Sequence, residues 1–197
     1  MKNIFLITLT AVLISCNNQI DSSGNKSNEA SRMENIDSLI HSKSVLDSAI
    51  SKNTMNLQCL YLTAGSFQKG ACNQKEYSET WRIWENSLQQ IATAKHEYSS
   101  ESMDIYVQDV FYYKVNGELF CRDEFVSFMN SICSDKGMIH NKTYYYNERV
   151  VVDSLSSLYD SDNVKFGVDS CLIPYSIKIR IPNNINELKK IIGAGLN

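Results

Sequence analysis

From Met33 onward the apolar residues Ile36, Leu39, Ile40, Leu46 and Ile50 recur close to every third or fourth position, with Asp, Ser and Lys between them. That period is helical and predicts a first helix over residues 32–52. MNLQCLYLT, residues 55–63, is a short apolar run stopped by Ala64-Gly65 and predicts a strand. GSFQKGACNQKEY, with Gly65 and Gly70, reads as a loop. Beyond it Ser78 stands where an N-cap would, ahead of Trp81, Trp84, Leu88, Ile91 and Ala92 on one helical face, so a second helix is expected to end near Tyr98.

The period then switches to two. Ile105, Val107, Phe111, Tyr113 and Val115 alternate with Tyr106, Gln108, Val110, Tyr112 and Lys114, and Asn116-Gly117 follows at once. Asn-Gly tolerates the two positive φ angles of a type I′ turn, so two antiparallel strands should meet there. The returning strand, 118–121, runs into Asp123, a reasonable N-cap for a third helix carrying Phe125, Phe128, Met129 and Ile132. KTYYYNERVVVDSL (142–155) is rich in aromatic and β-branched residues, and CLIPYSIKIRI (171–181) alternates Ile177, Ile179 and Ile181 with polar partners. A short helix from Asn184 to Ile192 closes at Gly193. Read in order, α, β, α, β, β, α, β, β, α, the pattern predicts an α+β domain with a largely antiparallel sheet packed against helices. The middle segment fits a ferredoxin-like βαββαβ core, and the alternative is an NTF2-like curved sheet wrapped around helices.

Composition makes this body globular. The 197 residues are 43% hydrophobic and 10% aromatic with only two prolines, enough apolar material to offset conformational entropy. The formal net charge is −3 and no dense Lys/Arg stripe appears, so nucleic acid is not an expected partner.

The first residues do not belong to that body. Met1-Lys2-Asn3 gives a positive start and Ile4 to Ile14 an apolar run of 11 residues. At 1.5 Å per residue the run reaches only about 16 Å, half of a ~30 Å hydrocarbon core, so it reads as a secretory signal segment and not as a span. Leu13-Ile14-Ser15-Cys16 resembles the lipobox of bacterial lipoproteins: a branched apolar residue, a tolerant position, a small residue, then cysteine. The resemblance implies a signal peptide over residues 1–15, cleavage before Cys16, and attachment of acyl chains to Cys16, which then holds the protein on the membrane. Residues 16–34, Asn/Ser-rich around Gly24, read as the lipidated cysteine and a flexible tether, and residues 35–197 as a single α+β domain. Asn17 is not the aspartate associated with inner-membrane retention in the enteric pattern, so the outer membrane is the expected location, on its periplasmic or surface face.

Five further cysteines remain: Cys59, Cys72, Cys121, Cys133 and Cys171. Outside the cytoplasm thiols pair, and an odd count leaves one over. Local disulfides of Cys59 with Cys72, or of Cys121 with Cys133, would close loops of about 12 to 14 residues. No CxxC or paired-His spacing points to zinc, and DSDNVKFG (160–167) places Val164 where a calcium loop needs an oxygen, so no metal or cofactor is expected. The chemistry that residue order suggests most directly is a nucleophile at Cys72, behind the KGACNQ glycine loop, with His96 as base and Asp104 or Asp109 as orienter. The order resembles transglutaminase-like thiol enzymes, which would make the protein a lipid-anchored hydrolase or acyltransferase. His96 falls on a predicted helix and lacks the aromatic context of that family, so the leading expectation is non-catalytic. It is an envelope lipoprotein with an interaction domain for a protein or a glycan, an immunity-type role being one version. Tyr106, Tyr112, Tyr113 and Tyr144 to Tyr146 would supply a binding face if exposed, and core or sheet-shielding side chains if not.

Overall fold

The computed structural model describes residues 23–73, 78–100, 102, 104–129, 131, 133–167 and 180–193, with the side chains of its first helix from residue 35. The leader, Cys16 and residues 171–179 of the isoleucine-alternating segment lie outside the described residues.

Hairpins build almost everything between two helices. In chain order the elements are α1 (Ser23–Ser51), β1 (Asn56–Thr63), β2 (Ser66–Gly70), β3 (Glu79–Glu85), β4 (Ile91–Ser99), β5 (Ile105–Tyr113), β6 (Leu119–Phe128), β7 (Met138–Asn147), β8 (Val150–Asp160), β9 (Lys165–Phe166) and α2 (Ile185–Ile192). The nine strands form one sheet in the order β2-β1-β3-β4-β5-β6-β7-β8-β9. Every neighbouring pair is antiparallel.

The α+β expectation is therefore corrected. No helix lies between the described strands, so neither the ferredoxin-like βαββαβ core nor the NTF2-like alternative is present, and the fold is an open antiparallel sheet with one helix on each side. Two of the expected helices are strands. Residues 78–98 make the β3–β4 hairpin: Trp81 and Ile83 are buried on one face, Arg82 and Trp84 turn to the other, and Leu88 sits in the connecting turn. The three- and four-residue intervals between Trp81, Trp84, Leu88 and Ile91 imitate a helix while their aromatic and β-branched character favours a strand. Residues 123–128 continue β6, where Arg122, Glu124, Val126 and Phe128 share one face. The stretch read as a loop after Gly65 contains β2.

Other local readings hold in part: α1 begins at Ser23, inside the segment read as a flexible tether, and the 142–155 stretch is divided between β7 and β8 by a turn at Glu148-Arg149. β5 and β6 do meet at Asn116-Gly117, but not through a type I′ turn: of the pair only Gly117 has a positive φ, +84°, and the Gly117 amide donates to the Lys114 carbonyl, so Val115 and Asn116 are the central turn residues, while the Lys114 amide donates to the Glu118 carbonyl. α2 is capped by Asn184, whose side chain accepts from the Glu187 amide at 2.9 Å, while Glu187 accepts from Asn183 and Asn184 in return.

Alternation along each strand gives the sheet two faces. On one, α2 seats Leu188 and Ile192 against Leu60, Trp81, Ile83 and Phe111, and a second apolar cluster joins Val107, Val126, Phe128, Met138 and Leu158. On the other, α1 seats Leu39 against Tyr112, Phe120, Cys121 and Tyr145. Lys43 secures that contact by pairing with Asp47 at 2.9 Å and Asp123 at 2.8 Å, and the Tyr112 hydroxyl donates to Asp47. Among the described residues no helix is long and apolar enough to cross a membrane.

Cys59 and Cys72 form a disulfide that ties β1 to the segment after β2. The proposed pairing of Cys121 with Cys133 is absent: Cys121 is a free thiol buried beneath α1, and Cys133 is engaged in a disulfide. The physical reason is β6 itself. An extended run from Cys121 to Phe128 carries the chain about 23 Å before Cys133 is reached, well beyond the ~7 Å between Cα atoms that a disulfide spans.

Candidate functional site

Three hairpin turns project from one end of the sheet, and α2 lies between two of them. In the β3–β4 turn, the Asn86 side chain accepts from the Leu88 amide at 2.9 Å and the Gln90 amide at 3.0 Å, which holds Gln89 at φ +58° and leaves Leu88 73% exposed. In the β5–β6 turn, the Asn116 side chain accepts from the Glu118 amide at 3.1 Å and donates to the Glu118 carboxylate, leaving Val115 85% exposed. α2 is hydrogen-bonded to this second turn: the Ile185 amide donates to the Gly117 carbonyl at 3.0 Å and the Leu119 amide to the Asn183 carbonyl at 2.9 Å. Gly117 combines a positive φ with close approach, because a Cβ there would stand 3.3 Å from Ile185 Cδ1. The β7–β8 turn places Glu148 and Arg149 in the left-handed region, where a side chain adds strain.

Between the first two turns and α2 opens a cavity of about 450 Å³. Glu85, Gln89 and Gln90 line it from the β3–β4 side, Asn116 from the β5–β6 turn, and Asn184, Asn186 and Lys189 from α2, with Ile91, Val115 and Ile185 as its apolar patches. The wall is thus rich in amides and carries one carboxylate and one ammonium group. Glu85 is held by the Gln58 side chain, which donates to it at 2.9 Å. Such a surface offers many hydrogen-bond donors and acceptors with balanced charge, which suits recognition of a polar molecule.

Of the residues proposed for thiol catalysis, only His96 and Asp109 are brought together, as opposite residues of β4 and β5; Cys72 and Asp104 lie elsewhere. Cys72 lies past the outer strand β2 with its sulfur bonded to Cys59, and β1 and β3 separate that strand from β4, which carries His96. His96 Nε2 stands 2.9 Å from Glu79 Oε1 and its ring stacks on Trp81. Asp104 precedes β5 at the opposite end of the sheet from the cavity, and its carbonyl accepts from the Met129 amide. Asp109 is fully buried and serves a different partner: Arg122 Nε donates to Asp109 Oδ1 at 2.7 Å. Arg122 also pairs with Glu124, which has Lys142 at 3.7 Å, giving an alternating charge network across β5, β6 and β7. Burial outweighs the attraction of Arg122 and holds the Asp109 carboxyl above the usual carboxylate range. Among the described residues Asp109 Oδ2, His96 Nδ1 and Trp81 Nε1 have no hydrogen-bond partner.

The tyrosines do not form an open face. Tyr112, Tyr113, Tyr145 and Tyr146 are buried, Tyr144 is half-buried against the Arg122 guanidinium, and Tyr106 is half-buried and donates to Glu97 at 2.7 Å. In the 160–167 segment the Asp160 side chain accepts from the Asp162 and Val164 amides, and Asp162 pairs with Lys136, so these carboxylates shape a turn. Among the described residues no group of three or more His, Cys, Asp or Glu side chains could hold a metal ion.

His140 gives the domain a pH dependence. It is 2% exposed with Nε2 2.9 Å from Ser156 Oγ, and desolvation, helped by Lys142, holds its pKa below 6.5. The unfolded chain therefore takes up this proton first. The contribution to stability is complete above about pH 6.5 and is lost as pH falls through that value toward the lower folded pKa, at no more than about 1.4 kcal/mol per pH unit. Urea unfolding at pH 7.5 and 5.0 is expected to show the decline, and His140→Gln to flatten it; an equal decline in the variant would assign it to other groups.

Of the cavity residues, sequence patterning reaches Ile91, Val115, Asn116, Gly117, Asn184 and Gly193, and only as helix-face, strand, turn and cap positions; Glu85, Gln89, Gln90, Asn186 and Lys189 are not singled out. The one available signal, an Asn two and four residues ahead of amides that it caps, is masked by the helical spacing around it. No protein-family model, no curated protein and no solved structure matches this chain.

Proposed function

We propose that the protein is a lipid-anchored component of the bacterial envelope, held at the outer membrane through Cys16, whose folded part is a non-catalytic binding domain for a protein or a glycan. The leader and its Leu13-Ile14-Ser15-Cys16 junction support the anchor. The observation that carries the binding role is the cavity between the β3–β4 turn, the β5–β6 turn and α2, flanked by the exposed Leu88 and Val115. Rigid hairpins that hold aliphatic tips beside an amide-lined hollow resemble the usual arrangement of binding loops on a scaffold. The alternative, thiol hydrolysis or acyl transfer at Cys72 and His96, would first require reduction of the Cys59–Cys72 disulfide.

Two measurements test the reading. Growth with labelled palmitate should mark the protein and leave Cys16→Ala unmarked; equal labelling would remove the anchor. A photo-crosslinking residue at position 88 or 115 should capture a partner in intact cells, whereas the same residue at Val164, exposed in the turn after β8 at the far end of the sheet, should not. Equal capture at all three positions, or none, would remove the binding end.

A further inference from the structure

We infer that the cavity is a subsite for a neutral saccharide; this rests on the reading of that end as the binding end. Its polar groups fall into two sets. Asn116, Asn184, Glu85 and Gln90 are committed to Glu118, Glu187, Gln58 and Asn86 and fix the walls. The side chains of Gln89, Asn186 and Lys189 line the cavity and make no hydrogen bond among the described residues. The uncommitted groups are therefore two amides and one ammonium, held on a turn and a helix that are both capped.

Amides select the ligand class. Each primary amide offers an acceptor oxygen and two donor hydrogens, and each sugar hydroxyl both donates and accepts, so an amide can address two neighbouring hydroxyls at once. Glu85 and Lys189 cancel in charge, which leaves the cavity without the positive excess that a phosphorylated or sulfated ligand needs and without the negative excess that a polyamine needs. Ile91, Val115 and Ile185 supply apolar contact for the C–H face of a pyranose ring. A volume of about 450 Å³ takes a chain terminus and not an extended polysaccharide. A charged peptide terminus is the rival ligand, but it would use only Glu85 and Lys189 and leave the amides unengaged.

The test uses the full-length protein in detergent on an array of neutral di- and trisaccharides of hexoses and N-acetylhexosamines, followed by isothermal titration with the best-retained compound. Binding is expected, and Gln89→Ala combined with Asn186→Ala should weaken it about tenfold or more, from two lost hydrogen bonds. The melting temperature should hold, because neither side chain bonds within the described fold, and Lys165→Ala on the distant strand β9 should bind as wild type. No saccharide bound, or equal affinity in the double variant, overturns the inference. Retention of a charged tripeptide, or crosslinking of a protein through position 88 without any saccharide signal, also overturns it while leaving the binding end standing. Failure of both the array and the crosslinking removes both.

Discussion

Arg122→Met is expected to lower the unfolding free energy by about 3–5 kcal/mol, because it leaves Asp109 as an uncompensated charge in the interior. Asp109 has no exposed surface and Arg122 is 5% exposed, so water cannot replace the guanidinium. Asp109 Oδ1 would lose the bonds at 2.7 Å from Nε and 2.6 Å from Nη2, while Oδ2 already has no partner among the described residues. The carboxylate would then fold only protonated or not at all. Urea titration of the full-length protein measures this, and a second variant separates charge from packing. Asp109→Leu together with Arg122→Met removes both charges, and it should recover most of the loss, because an apolar pair of similar volume is often as stable as a buried ion pair. Equal loss in the single and double variants would assign the effect to shape, through the stacking of Arg122 on Tyr144, and would remove the electrostatic account.

Trp81→Ala should cost a similar amount, about 3–5 kcal/mol, by opening a cavity under α2. The side chain is 1% exposed and joins the apolar cluster of Leu60, Ile83, Phe111, Leu188 and Ile192. Its ring also lies on His96 with centroids 4.3 Å apart and on Phe111 at 5.9 Å. Trp81→Phe is the informative companion. It keeps an aromatic ring on His96 and discards the buried indole N–H, which has no hydrogen-bond partner among the described residues, so less than half of the alanine penalty is expected. Guanidinium unfolding of both variants decides the matter. If phenylalanine costs as much as alanine, the indole shape matters more than aromatic contact.

What could be read locally depended on whether the residues themselves supplied the geometry. Gly117 supplies the one positive φ of its turn, Asn184 reaches its own helix amide, and the alternation of 105–113 needs no distant partner to be a strand. The β3–β4 hairpin was hidden for the converse reason. Trp81, Trp84, Leu88 and Ile91 have helical spacing by coincidence, and only pairing with β1 and β5 shows that Trp81 and Ile83 form the buried row. Asp123 offered a helix cap in sequence, yet in the sheet its carboxylate accepts from Thr143 at 2.7 Å and pairs with Lys43 on α1, partners twenty and eighty residues away.

The candidate site was less legible than the fold because it has no motif. Gln89, Asn186 and Lys189 are ordinary surface residues until α2 is laid between the two turns, and no spacing rule connects position 89 with position 186. Cys72 shows the reverse, a residue prominent in sequence whose sulfur the fold has placed within bonding reach of Cys59.

By itself the chain determined the place of the β5–β6 turn, the Asn184 cap and the two helices that flank the sheet, all of them consequences of neighbouring residues, and it supplies the Leu13-Ile14-Ser15-Cys16 junction on which the proposed anchor rests. Only the tertiary structure decided that the middle is one antiparallel sheet and not a mixture of helices and strands, that Asp109 serves Arg122 and not His96, and that three separate segments enclose one cavity. Those outcomes depend on hydrogen bonds and burial between residues far apart in the chain, and such contacts have no local period by which they could be read.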